Sequence, residues 1–292
     1  MTATALRPPA APSRRPARGP RWSLGTPISY LGALVFVLIG IVPLLFVVIG
    51  GFRTTAQINA QPVAWPHPWE LANYSSVLSS TAFWQQLGNS TFIAVVATVL
   101  AVGLGAMAAF ALSRYEFRGR ELIFNVFMIG LLFPASVASL PLYLLLRQLG
   151  LLENLFGVAL PEAAFSLPVT IFILRPFFRA VPGELEAAAA IDGCSKLSFF
   201  WRILLPLSRP ALTTVGILAF ITSWNQYLLP LLVFNDSNHF TLPLGVATYQ
   251  SQYSQNTAGV FAFTAMSMLP ALLFFVFAER RIVGGLTGAI KA

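Results

Sequence analysis

The sequence is poor in cysteine and in charge, and each shortage excludes a class of protein. Its one cysteine, Cys194, rules out an intramolecular disulfide and any multi-cysteine metal site. Only 10% of the 292 residues are charged and 57% are hydrophobic, whereas an ordinary soluble domain is roughly a quarter charged. Lysine occurs only as Lys196 and Lys291, neither in a Gly-x-x-x-x-Gly-Lys-[Ser/Thr] loop, so the chain has no such site for ATP hydrolysis. His67 and His239 stand apart from any Cys, Asp or Glu cluster of metal-ligand spacing, and neither His-Glu-x-x-His nor Gly-x-Ser-x-Gly occurs. No catalytic residue, metal ligand or bound cofactor is therefore assigned, and enzyme is the weakest class.

What the sequence has instead is long apolar runs: 28–52, 87–112, 122–146, 155–178, 211–234 and 260–278. Each is close to the roughly 20 residues that cross a bilayer, which predicts an all-α integral membrane protein of six transmembrane helices surrounded by lipid. Residues 1–27 are rich in Pro, Ala and Arg without apolar periodicity and read as a disordered basic tail before a membrane domain spanning 28–292. The first run is longer than a signal-peptide core, and no clear small-residue cleavage site ends it. Arg14-Arg15 is followed by Pro16 and lies far from the run, unlike a twin-arginine signal.

The formal charge of +8 is a topology signal and requires no nucleic acid. Lys and Arg cluster in the tail, in 114–120, in 175–209 and at the C-terminus, leaving only Arg53 and Arg147 for the other side. By the positive-inside rule both termini are cytoplasmic, and the chain is a multi-pass protein of the cell membrane. Ala101, Gly105 and Ala109 place small side chains on one helix face for close helix packing. Prolines at 43, 134, 141, 161, 168, 230 and 270 predict kinks or interruptions.

The segment 182–210, between the fourth and fifth runs, is polar enough to lie in the cytoplasm. Glu184 and Glu186 fall in the first turn of a strong helix former, where negative charge meets the positive end of the dipole. Gly193 is placed to stop that helix in the left-handed conformation, and Ser195 to cap a second one. In the second, Leu197, Phe200, Ile203 and Leu204 recur at helical spacing, and Pro206 and Pro210 end it. The residues alone leave two readings open: a docking surface for another protein, or an interfacial helix lying on lipid.

At these residues the chain resembles the permease subunits of ATP-binding-cassette importers of the carbohydrate type, related to the smaller maltose permease subunit. The family's loop reads Glu-Ala-Ala, three residues, Gly, nine residues, Ile, one residue, Leu-Pro. Gly193, Ile203, Leu205 and Pro206 fall in register, whereas Ala187 occupies the glutamate position, with Glu186 one residue earlier and Ala188 one later. The resemblance continues through Trp224-Asn-Gln-Tyr-Leu-Leu-Pro230, Thr241-Leu-Pro-Leu-Gly245 and Gly284-Gly-Leu-Thr-Gly-Ala-Ile-Lys291. It implies a bacterial cell-membrane machine of two permease subunits, this chain pairing with a companion in a heterodimer. Two cytoplasmic ATPases would bind ATP and Mg and dock on the loop, with Glu184, Glu186, Ala187, Ala188, Asp192, Gly193, Phe200, Ile203, Leu205 and Pro206 as its candidate residues. An extracytoplasmic binding protein would deliver the solute.

Candidates for the transport path are polar residues of the fifth run, Thr222, Ser223, Asn225 and Gln226, flanked by Trp224 and Tyr227. Amides pair with sugar hydroxyls and aromatics stack on sugar rings, although Asn225 and Gln226 could equally bond neighbouring helices. Glu162, an acid inside the fourth run between Pro161 and Ala163, stands either in the path or at a rim wetted by a helix break. The rival function is a secondary active transporter of small polar solutes, for which the expected internal repeat and coupling acids are lacking.

Overall fold

The computed structural model describes residues 25–252 and 256–290; residues 1–24 of the basic tail lie outside them, and 25–27 begin the first helix. Among the described residues there are helices and no strands. In chain order they are α1 (Gly25–Gly51), α2 (Thr55–Ala60), α3 (Ala72–Ser79), α4 (Thr81–Arg114), α5 (Arg120–Gly130), α6 (Ser139–Gln148) and α7 (Leu155–Ala180). There follow α8 (Gly183–Ile191), α9 (Lys196–Phe199), a π-helical turn (Phe200–Leu204), α10 (Leu205–Leu207), α11 (Arg209–Trp224), α12 (Leu228–Val233), a 3-10 turn (Ser237–His239), α13 (Leu242–Gln252) and α14 (Thr257–Ile290). Residues up to Leu45 and residues from Phe46 onward form separate compact units.

Among the described residues four helices are long and apolar enough to cross a membrane uninterrupted: α1, α4, α7 and α14. The third and fifth apolar runs are broken, which hydropathy could not reveal because it measures polarity and not helix continuity. The third divides into α5 and α6, of 11 and 10 residues, each too short for a hydrocarbon core of ~30 Å. Between them Pro134 has no N–H to donate, and Phe133 before it is driven away from helical backbone. The fifth run breaks at 225–227 with no proline in the break, because side chains compete for its backbone. Asn225 Nδ2 donates to Ile221 O at 2.8 Å, and Gln226 Oε1 accepts from Tyr227 N at 3.1 Å. Conversely, α7 carries Pro161, Pro168 and Pro176 without interruption.

The central contact is α4 against α7 and α11. Ala101 and Ala109 are fully buried, and a Cβ on Gly105 would lie 2.4 Å from Thr170 Cγ2 on α7, so only glycine allows this approach. Ala101, Ala163 and Ala219 meet where the three helices cross, and no larger residue is needed to fill the gap. At the α2 end of the bundle Arg53 is buried, its guanidinium donating to Pro62 O at 2.9 Å, to Gln57 O at 2.6 Å and to Gln61 O. The carbonyls supply the partners that a buried guanidinium requires.

Candidate functional site: a docking loop and a polar helix break

The loop after α7 folds as a helix, a glycine turn and a second helix. Gly193 has φ +78°, its N–H donates to Ala190 O at 3.1 Å, and Cys194 N–H donates to Ala189 O at 2.8 Å. This is a Schellman stop, in which both bonds satisfy carbonyls that the helix end leaves unpaired. Ser195 then caps α9, its Oγ accepting from Ser198 N at 3.2 Å. Leu205 N–H bonds back to Phe200 O, widening the turn before Pro206, whose ring would crowd the carbonyl four residues earlier. The chain then turns by 80° into α11.

The surface offered by the loop differs from the stripe expected above. Phe200 and Leu204 are 1% and 0% exposed, and Phe200 packs on Phe110 with ring centroids 4.9 Å apart. They therefore seat the second helix on the bundle and present nothing to a partner. Ile203, Leu205 and Pro206 are half-buried in the same contact. The exposed large apolar side chains are Leu185, Ile191, Leu197, Trp201 and Leu207, with Glu184, Ala187, Ala188, Asp192 and Gly193 exposed among the first four. Helical spacing marked an apolar stripe, but it could not tell the side facing the bundle from the side facing outward. Glu186 is turned inward, its Oε2 lying 3.7 Å from Arg114 Nη1.

Around the break in the fifth run, Thr222, Asn225 and Tyr227 are exposed, Gln226 is half-buried and Trp224 is buried against Phe220. Trp224 and Asn225 line a crevice of about 280 Å³ with Leu242, Thr264 and Ser267. Thr222 lines a groove between α7 and α11 with Phe165 and Ser166. Glu162 is not at a wetted rim: it is 5% exposed, and Ser223 Oγ donates to its Oε2. The proline before it leaves α7 uninterrupted. Its Oε1 is buried without a partner, which leaves Ser223 as the donor that ties α7 to α11 at this level.

One group of residues escaped sequence reading. Arg114 donates through Nη2 to Phe178 O and Val181 O, both at 2.6 Å, where α7 ends. Arg175 is 4% exposed and donates through Nε to Leu112 O of α4 at 3.1 Å. Its guanidinium lies 3.9 Å from the Phe124 ring centroid and pairs with Glu121, both on α5. Arg179 reaches the same carboxylate at 3.2 Å. The hydrogen bond from Arg175, helped by the nearby Arg179, holds the Glu121 carboxyl below its ordinary range. The available signal was an arginine just inside an apolar run, which had been counted only toward topology.

Residues 101–281 match the family model described as the binding-protein-dependent transport system inner membrane component. The chain belongs to this family. The permease is 36% identical over 262 residues to the diacetylchitobiose uptake system permease protein NgcG of Streptomyces coelicolor, covering 89% of this chain and 87% of that one. It is 37% identical over 222 residues to the trehalose transport system permease protein SugB of Mycobacterium tuberculosis, covering 75% and 81%. Its fold matches a chain in the crystal structure of a bacterial ABC transporter involved in the import of the acidic polysaccharide alginate. The TM-score is 0.76 at 24% identity, over 90% of this chain and 99% of that one. The permease is thus a membrane-spanning transport subunit and not an enzyme.

Proposed function

We propose that this permease forms part of the path for a sugar or oligosaccharide in an ATP-driven importer of the bacterial cell membrane. The observation that carries the reading is the outward apolar face of the loop at Leu185, Ile191, Leu197 and Trp201, presented by a glycine-stopped helix pair whose Ala189, Phe199, Phe200 and Leu204 are buried against the bundle. A bare interfacial helix needs an apolar face but no fixed second helix; a protein partner needs both at a set angle. The partner is a cytoplasmic ATPase subunit, two per complex, which binds ATP and Mg. Both termini and the loop lie in the cytoplasm, consistent with the clustering of Lys and Arg.

The solute passes along the exposed polar edge Thr222, Asn225 and Tyr227, with Gln226 beside it and Trp224 and Glu162 behind it. A companion permease completes the path as the other half of a heterodimer, and an extracytoplasmic binding protein brings the solute. The sugar class is supported by the uptake of diacetylchitobiose and trehalose for which the two relatives are named and by the chemistry of amides beside aromatics. Affinity capture of the tagged chain in mild detergent, followed by reconstitution with the captured subunits, tests the reading. It predicts a second permease and an ATPase in the captured complex, and sugar uptake that stops without ATP. Uptake driven by an ion gradient in the absence of ATP would refute it.

A further inference from the structure

The loop hangs from α7 by a short joint. Between Ala180 and Gly183 only Val181 and Pro182 intervene, and open space surrounds Gly183 on its Cβ side. Ala189 of α8 is buried with Phe178 of α7 and Phe199 of the second helix, so apolar packing already holds α8 on the bundle, and a polar link across the joint can stiffen it further. Arg114 does so: it grips Phe178 O and Val181 O before the Pro182–Gly183 step and faces Glu186 after it. Arg175 continues the connection to Leu112 O on α4 and to Glu121 and Phe124 on α5.

We propose that Arg114, Arg175 and Glu121 form a clamp that makes α4, α5 and the end of α7 move as one body with the docking helix α8. The proposal rests on the docking reading given under Proposed function. A guanidinium buried as deeply as Arg175 tolerates no half-broken state, because a lost partner leaves donors unpaired in apolar surroundings. On the α4 and α5 side the clamp therefore transmits displacement instead of yielding to it, while its hold on α8 is the weaker Arg114–Glu186 pair at 3.7 Å. Its far end reaches the path through α4, which packs on α11 just before the break at 225–227. Arg114, Arg175 and Glu121 are positioning residues: none lies at the polar break assigned to the solute.

The test uses the assembled complex as captured, with spin labels at Ala190→Cys on α8 and Val126→Cys on α5, both exposed positions, in a Cys194→Ser background. Distances are measured by pulsed electron resonance without nucleotide and after trapping with ATP and vanadate. With the clamp intact, the α8–α5 separation changes by no more than about 2 Å, the scale of small helix adjustments. In Arg175→Ala, and in Glu186→Ala, which opens the α8 end of the clamp while Arg114 keeps the Phe178 and Val181 carbonyls, the change on trapping at least doubles. A wild-type separation that shifts by as much as the variants, or variants that behave as wild type, overturns the clamp. Failure of an ATPase to copurify would overturn the docking reading and the clamp together, whereas a bound ATPase with the wrong distances overturns the clamp alone.

Discussion

Replacing Gly193 by valine isolates the contribution of one backbone conformation. At φ +78° nothing lies within 4 Å of an added Cβ, so the substitution meets no clash and its whole cost is conformational. A left-handed residue other than glycine costs about 1–2 kcal/mol, and β-branching places valine at the upper end. The Schellman bonds from Gly193 and Cys194 to Ala190 and Ala189 depend on that conformation. Losing it frees the angle between α8 and α9. A cost of this size lowers the ordered-to-disordered equilibrium constant of the loop by roughly 5- to 30-fold, and ATPase affinity should fall by up to that factor. The α4–α7 contact is untouched, so the variant should insert and remain stable. Titration of purified ATPase onto the permease in nanodiscs reads the affinity, and Gly193→Asn provides the control because asparagine tolerates the left-handed region. The reasoning is refuted if valine binds the ATPase as well as glycine does, or if asparagine and valine weaken it equally.

Gly105→Ala should lower stability and expression because its Cβ would lie 2.4 Å from Thr170 Cγ2; Thr170→Ala removes that atom and should restore much of both in a thermal-shift assay. Ser223→Ala leaves the buried Glu162 carboxyl without its one donor. This should cost about 1–3 kcal/mol, seen as a fall of several degrees in Tm, while Ser223→Thr keeps the donor and should stay near wild type. Glu186→Ala should loosen the loop by ~0.2–1 kcal/mol through loss of the Arg114 pair at 3.7 Å. Glu184→Ala, at an exposed position, should leave uptake per ATP unchanged, and the two variants are compared by that ratio.

The legible parts of the fold were those governed by local chemistry. The left-handed stop at Gly193 and the cap at Ser195 follow from residue type and position, and the small stripe Ala101–Gly105–Ala109 already implied a close helix neighbour. What remained hidden depended on tertiary facing. Helical spacing selected Leu197, Phe200, Ile203 and Leu204 as one stripe, yet of these only Leu197 faces outward, beside Trp201, while Phe200 packs on Phe110 and Leu204 is buried in the bundle. Apolarity merged α5 with α6 and α11 with α12; Pro134 signalled an interruption in the first pair, whereas the second break is made by the side chains of Asn225 and Gln226, which sequence pattern does not mark as breakers. Glu162 was recognised as costly in a membrane, but its partner, Ser223 on another helix, could not be paired with it from sequence.

The central claim is that the outward face of the loop meets an ATPase, and site-specific photocross-linking tests it most directly. A photoreactive phenylalanine analogue is placed in turn at exposed Leu197 and at buried Phe200 in the assembled complex. Leu197 is predicted to cross-link to the ATPase subunit, and Phe200 to cross-link only within the permease. Cross-linking of Leu197 to lipid alone would contradict the docking reading and establish the loop as an interfacial helix.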